Sequence, residues 1–316
     1  MSQETRRHWA KQHERGSFWL MRFTAAATRL LGRRALTPLL YLVVLYFYAS
    51  GRRARLSIRD YQSRLAAYSG RHELQPSHRS VLRQFLCFAD SLLDKLDVWN
   101  GRLALTELEL LDPDNLRGQL RSGAPGRLLV GSHLGNLEVC RALAELGEQV
   151  RMNVPVHTKH AENFNRLLNE AGAQHLRLIQ VSELDPAIMM QLAERLERGE
   201  WLAIAGDRVP LHGGRSVEVE FLGAPASFPQ GPWLLAGLLQ CPVGLMHCLK
   251  INGHYQVRLE HFADAQSLKR SQRQQMIEHS AQQYAQRLTQ HCLDAPYQWF
   301  NFYPFWKPKH DDDLPA

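Results

Sequence analysis

From residue 127 onward, short apolar runs alternate with stretches of helical periodicity, and this alternation limits the folds open to the chain more than any other feature. Strand-like runs fall at 127–131, 150–156, 176–181 and 201–205, with helical patterns between them at roughly 136–147, 161–171 and 186–198. Strands separated by helix-length segments read as βαβ units and hence as a mostly parallel sheet. Beyond 213, "RSVEVEFLG" reads as a strand. "CPVGLMHCLKINGHYQVRLEHF" reads as two strands turned at Asn252-Gly253, a dipeptide that accepts the positive φ of a tight hairpin. A polar helix is expected at about 270–293. The expected fold class is therefore α/β: a mixed, mostly parallel central sheet flanked by helices.

The first sixty residues differ in character. "SFWLMRFTAAATRLLG" (17–32) carries Arg22 and Arg29 on one helical face, as in a basic amphipathic helix. "ALTPLLYLVVLYFYAS" (35–50) is almost wholly apolar, with Pro38 suited to a helix start and arginines on both flanks. As a helix it reaches only about 22–24 Å, short of the roughly 30 Å hydrocarbon core of a bilayer. Basic residues at both ends favour an interfacial, monotopic anchor over a clean span. Residues 1–60 are thus expected to form a membrane-associating segment and 61–316 a catalytic domain. A pair of ordinary core helices is the competing reading. "SVLRQFLCFADSLLDKLDVW" (80–99) places Val81, Phe85, Phe88, Leu92 and Leu96 at helical spacing, a core stripe.

Charge narrows the partners. Lys and Arg number 38 against 31 Asp and Glu, a net charge of +7. That balance suits anionic partners such as an acidic carrier protein or an anionic lipid leaflet. No nucleic-acid-binding module is present, and none is expected as a partner. The five cysteines (Cys87, Cys140, Cys241, Cys248 and Cys292) are scattered without a Cys-x-x-Cys pair, which suits a reducing compartment. With no signal-peptide pattern, the catalytic part is expected on the cytoplasmic side.

Chemistry gathers at the carboxyl ends of strands in open α/β sheets, and His133 in "RLLVGSHLGNLEVC" sits at such an end. A histidine there can take a proton from a hydroxyl near neutral pH. Glu138, five residues on, can fold back to hold the imidazolium, Gly131 and Gly135 allow close approach, and free amides at the helix start can receive an oxyanion. The spacing alone is weak, since His157 and Glu162 repeat it. Asn136 as a helix cap, with Glu138 at the positive helix end, explains the same residues without catalysis. Ser132 points to the opposite strand face and is no nucleophile for His133. Cys140 reads as core. His157 and His160 lack a third ligand at useful spacing, so no metal site is expected. Gly-x-Ser-x-Gly and phosphate-loop motifs are missing from the sequence.

Several blocks in order resemble the bacterial lipid A biosynthesis acyltransferases of the lysophospholipid acyltransferase superfamily. They are "ERGSFWLMRF" with "GRRALTPLLYLVVLYFY", "GSHLGNLE", "AIAGDRVP" (203–210), "VEFLGAPASFPQGPWLLAGLLQCPV" (219–243) and "PYQWFNFYPFWK" (296–307), spanning roughly 15–307. The resemblance implies transfer of an acyl chain from a thioester, on acyl carrier protein or coenzyme A, to a hydroxyl of a lipid or glycolipid at the cytoplasmic face of the inner membrane. No cofactor beyond the thioester co-substrate is implied. His133 would be the general base and Glu138 its orienting acid. Gly135 and Asn136, with Arg208, would stabilise the oxyanion; Asp207 would position Arg208 and its loop, and Arg215 would touch the carrier or headgroup. Tyr303, Pro304 and Phe305 stand where the family has a more basic run. That departure favours an acceptor less charged than a phosphorylated lipid A precursor: a glycolipid, an amino-lipid or an aryl-polyene-type lipid. Two other readings compete, a non-catalytic scaffold of the same fold and a thioesterase.

Overall fold

The computed structural model describes residues 37–99, 108–121, 123–136, 151–156, 176–180, 186–209, 214–265 and 270–306. Three helices open the described chain: α1 over 37–50, α2 Arg52–Ser69 and α3 His78–Trp99. Then follow β1 Leu108–Leu111, α4 Leu116–Arg121, β2 Leu128–Gly131, β3 Met152–Val156 and β4 Leu176–Gln180. After these come α5 Pro186–Glu197, β5 Trp201–Ala205, β6 Ser216–Phe221, β7 Ala224–Pro229 and α6 Gly231–Leu239. The hairpin β8 Val243–Ile251 and β9 His254–Ala263 leads to the long helix α7 Arg273–Asp294.

Seven strands form one sheet in the order β1-β9-β8-β2-β5-β3-β4. Every adjacent pair is parallel except β8–β9, so the mixed, mostly parallel sheet expected from the alternating pattern is present. The β8–β9 turn falls on Asn252 and Gly253, both at positive φ (51° and 85°), as its dipeptide requires. β6 and β7 pair separately as an antiparallel hairpin.

Both sheet faces are covered, which explains why β2 reads as a continuous apolar run rather than an alternating one. Successive side chains point to opposite faces. Leu128 and Val130 join Leu202, Leu245 and the Ile277, Ala281 and Leu288 face of α7, while Leu129 joins Trp201, Ala203, Met246 and Val257 on the other side. α3 departs from its expected stripe in one place. Val81 and Phe85 are buried, but Leu92 is 41% exposed and Leu93 takes the inward position. A period of 3.6 drifts from a strict three-four spacing over three turns, so the buried face moves on by one residue.

α1 carries Pro38 at the second of its described residues and turns only part of its surface inward. Val44 is buried against Ile58, Val81 and Phe85, whereas Leu39, Leu42, Tyr46 and Phe47 are exposed. Among the described residues no helix is long and apolar enough to cross a membrane. The basic amphipathic stretch expected at 17–32 lies outside the described residues.

Candidate active site

The strand register builds the site. β2 lies beside β5, with Gly131 opposite Ala205. Two residues beyond each partner, at the carboxyl edge of the sheet, stand His133 and Asp207. Asp207 is fully buried. Its Oδ1 lies 2.8 Å from His133 Nδ1 and its Oδ2 accepts the His133 backbone N–H at 2.9 Å. Trp299 Nε1 donates to the same Oδ2 at 3.1 Å. One carboxylate thus fixes both the ring and the backbone of the histidine. Burial alone would push Asp207 up, but His133, by charge and by hydrogen bonds, and the neighbouring Arg208 bring it down to about 2.

The His133 side chain is 34% exposed. With Nδ1–H donated to a permanent carboxylate, Nε2 carries the lone pair and is the nitrogen left for a substrate proton. This is the histidine–carboxylate half of a hydrolase triad without its serine.

The C-terminal block holds the segment from its other edge. His133 O accepts the Phe300 N–H at 2.9 Å and Gly135 N–H donates to Gln298 O at 2.8 Å. Leu134 and Trp299 form an antiparallel bridge. Trp299 is itself enclosed by Tyr61, Phe221, Phe305 and Trp306, and Gln84 Nε2 donates to its carbonyl at 2.7 Å. Gly135 has φ +74°, and a Cβ there would meet Cys248 O at 1.9 Å. Only glycine fits.

The structure corrects one expectation. The amides of Gly135 and Asn136 do not face a developing oxyanion: the first is bonded to Gln298 O and the second donates to Cys248 O at 2.8 Å. The Asn136 side chain donates to Ser91 O at 3.0 Å. These residues extend β-type pairing past the strand end, which consumes the amides. Arg208 lies beside the pair, donating to Phe300 O at 2.8 Å with its guanidinium 5.9 Å from the Tyr303 ring centre. Arg215 is exposed at the start of the β6–β7 hairpin and its carbonyl accepts the Gln230 N–H; it stands outside the His133–Asp207–Trp299 hydrogen bonds. Glu138, Cys140, His157, His160 and Glu162 lie outside the described residues.

Sequence reasoning assigned Asp207 to Arg208 and did not single out Trp299. The usable signal was positional: an aspartate two residues past one strand end and a histidine two residues past another, if the two strands are neighbours.

An α/β sheet with a histidine–carboxylate pair at its carboxyl edge is an arrangement in which an imidazole can act as a general base. A family model of the bacterial lipid A biosynthesis acyltransferases matches residues 92–308, and the chain belongs to that family. No curated protein matches the chain.

Proposed function

We propose that the protein is an O-acyltransferase working at the cytoplasmic face of the bacterial inner membrane. Its acceptor is a lipid or glycolipid, and its donor is an acyl thioester on acyl carrier protein or coenzyme A. His133 Nε2 takes the proton of the acceptor hydroxyl, and the oxygen attacks the thioester carbonyl. The tetrahedral intermediate then expels the thiolate, which recovers the proton from the imidazolium. Asp207 stabilises that imidazolium and holds its tautomer. Glu138 is the second acid that the family resemblance assigns to orienting His133. Arg208 is the cation assigned to the oxyanion.

The observation that carries this reading is the His133–Asp207 pair: a buried, ionised carboxylate on Nδ1 and a partly exposed ring. Family membership supports the acyl transfer and the lipid acceptor. The membrane assignment rests on the exposed apolar face of α1, followed by exposed Arg52 and Arg53. That combination suits an anionic leaflet. The net charge of +7 suits an acidic carrier.

The test supplies purified protein with labelled dodecanoyl- or hexadecanoyl-thioesters of acyl carrier protein and of coenzyme A, plus a lipid extract from the host. Label is expected in the lipid fraction, and His133→Ala should lower its appearance by roughly 10³–10⁴. Release of free fatty acid alone would establish a thioesterase instead. Binding of thioester without turnover across a broad acceptor panel would establish a scaffold.

A further inference from the structure

Ser132, immediately before His133, is fully buried, and its hydroxyl points away from the imidazole. Its Oγ lies 3.3 Å from Nδ1 of His247 on β8 and accepts the Leu134 N–H at 3.2 Å. The Tyr284 phenol of α7 binds the same turn one residue earlier, donating to Gly131 O at 2.6 Å.

His247 is fully buried, and burial, with His291 at 4.2 Å between ring centres and Arg258 beyond it, holds it neutral. Its Nε2 has no hydrogen-bond partner among the described residues. That decides the proton order. If Ser132 donated to His247, the ring N–H would sit at Nε2 as a buried orphan donor, which proteins rarely tolerate. With the ring proton on Nδ1, His247 donates to Ser132 Oγ, which also accepts the Leu134 N–H, while Tyr284 O–H donates to the Gly131 carbonyl.

A histidine with one ring nitrogen unpaired among the described residues costs stability in the buried middle of a strand flanked by Met246 and Cys248. A leucine at 247 would pack among Leu245, Leu249 and Leu288 without that cost. The chain keeps the costly residue where its one hydrogen bond reaches the catalytic turn.

We propose that Ser132, His247 and Tyr284 are positioning residues for acyl transfer, clamping the backbone at Gly131 and Leu134 so that His133 is held between two fixed points. Asp207 aims the ring; this clamp sets where the ring starts from. The inference rests on His133 being the base.

The variants exploit amide geometry. An asparagine at 247 places its nitrogen near the position of Nδ1, and a glutamine places its own near Nε2. In the labelled-thioester assay, His247→Leu and His247→Gln should lose about 10- to 100-fold in kcat with KM for the thioester nearly unchanged, as a misplacement of about 1 Å would give. His247→Asn and Ser132→Thr should stay within about threefold of wild type, against a larger loss in Ser132→Ala. His247→Leu should melt no lower than wild type, which separates positioning from support of the fold. A second readout needs no turnover: the rate at which diethyl pyrocarbonate modifies His133, followed by mass spectrometry. It should change in the Leu and Gln variants and not in the Asn variant. Wild-type kcat and wild-type modification in His247→Leu would overturn the proposal, as would equal losses in the Asn and Gln variants. If His133→Ala transferred acyl groups as fast as wild type, the functional reading would fail, and the modification rates would still judge the clamp alone.

Discussion

Strand β5 carries a buried carboxylate beyond each of its ends, and the two are put to different uses. Glu200, just ahead of Trp201, accepts from Asn153 Nδ2 at 2.8 Å and from Arg195 Nη1 at 3.1 Å, and Arg198 approaches it at 3.5 Å. Both Arg195 and Glu200 are nearly enclosed, at 9% and 7% exposure, and only the longer Arg198 contact opens to solvent. Asp207, two residues past Ala205, is equally buried but spends its charge on a ring that is 34% exposed. The amino-end cluster joins α5 to β3 and β5. In the proposed reaction, the carboxyl-end pair passes its polarisation to a partly exposed imidazole. What separates the two pairs is the partner of the shortest contact: an enclosed, permanently charged guanidinium at Glu200 and a partly exposed, titratable imidazole at Asp207.

The sharpest way to break this contrast is to remove the charge at each end. Asp207→Asn keeps the shape but cannot hold the imidazolium, and kcat per folded molecule should fall by about 10²–10⁴ in the thioester assay, alongside a loss of about 2 kcal/mol in stability at neutral pH. Glu200→Gln should leave kcat of the folded protein unchanged. Equal rate losses in the two variants would mean that β5 transmits strain along its length and that the ends are not independent.

Most strands were legible because both faces of the sheet are buried: β2 and β5 read as unbroken apolar runs, and the β8–β9 turn announces itself by Asn252-Gly253, whereas the short β1 and the proline-bounded β7 were not read. What could not be read was which strands are neighbours. Glu138 is close to His133 in sequence and therefore offered itself as the orienting acid. Asp207 is 74 residues away and meets the histidine only because β2 pairs with β5 in that register. The "PYQWFNFYPFWK" block was recognisable as a block, but its use is non-local too. Trp299 reaches Asp207, and Gln298 and Phe300 pair with the backbone around His133. Local pattern fixes what an element is, while strand order decides which side chains meet. Gly135 and Asn136 show the same limit from the other side. Their position suggested free amides, and non-local pairing to Gln298 and Cys248 had already used them.

A smaller effect is expected when the amino-end cluster is broken from its other member. Arg195→Ala leaves Glu200 buried with Asn153 and the longer Arg198 contact, and loss of one partner of a buried pair costs about 3 kcal/mol of stability. Urea unfolding should report that loss as a lower midpoint. The rate per folded molecule, measured well below the new melting temperature, should match wild type. A variant that keeps its midpoint but loses rate would place the cluster in the chemistry and erase the distinction between the two ends.

The finest comparison is in acid, where both carboxylates contribute through depressed pKa values. At Glu200 burial pushes up, and the hydrogen bonds from Asn153 and Arg195 with the charges of Arg195 and Arg198 prevail and pull it below its ordinary 4.5. Asp207 is drawn from 3.8 to about 2. A group depressed in the folded state contributes stability that is complete above its unfolded pKa and is lost as pH falls through the folded one. Asp207 should therefore cost the wild type about 2 kcal/mol between roughly pH 4 and pH 2. In Asp207→Asn the fall of the urea midpoint should be shallower across that window. In Glu200→Gln the flattening should instead begin higher, just below pH 4.5. If the Asp207→Asn curve ran parallel to wild type from pH 4 to 2, Asp207 would not be ionised against His133, and the carboxyl end of β5 would be no more than a second structural cluster.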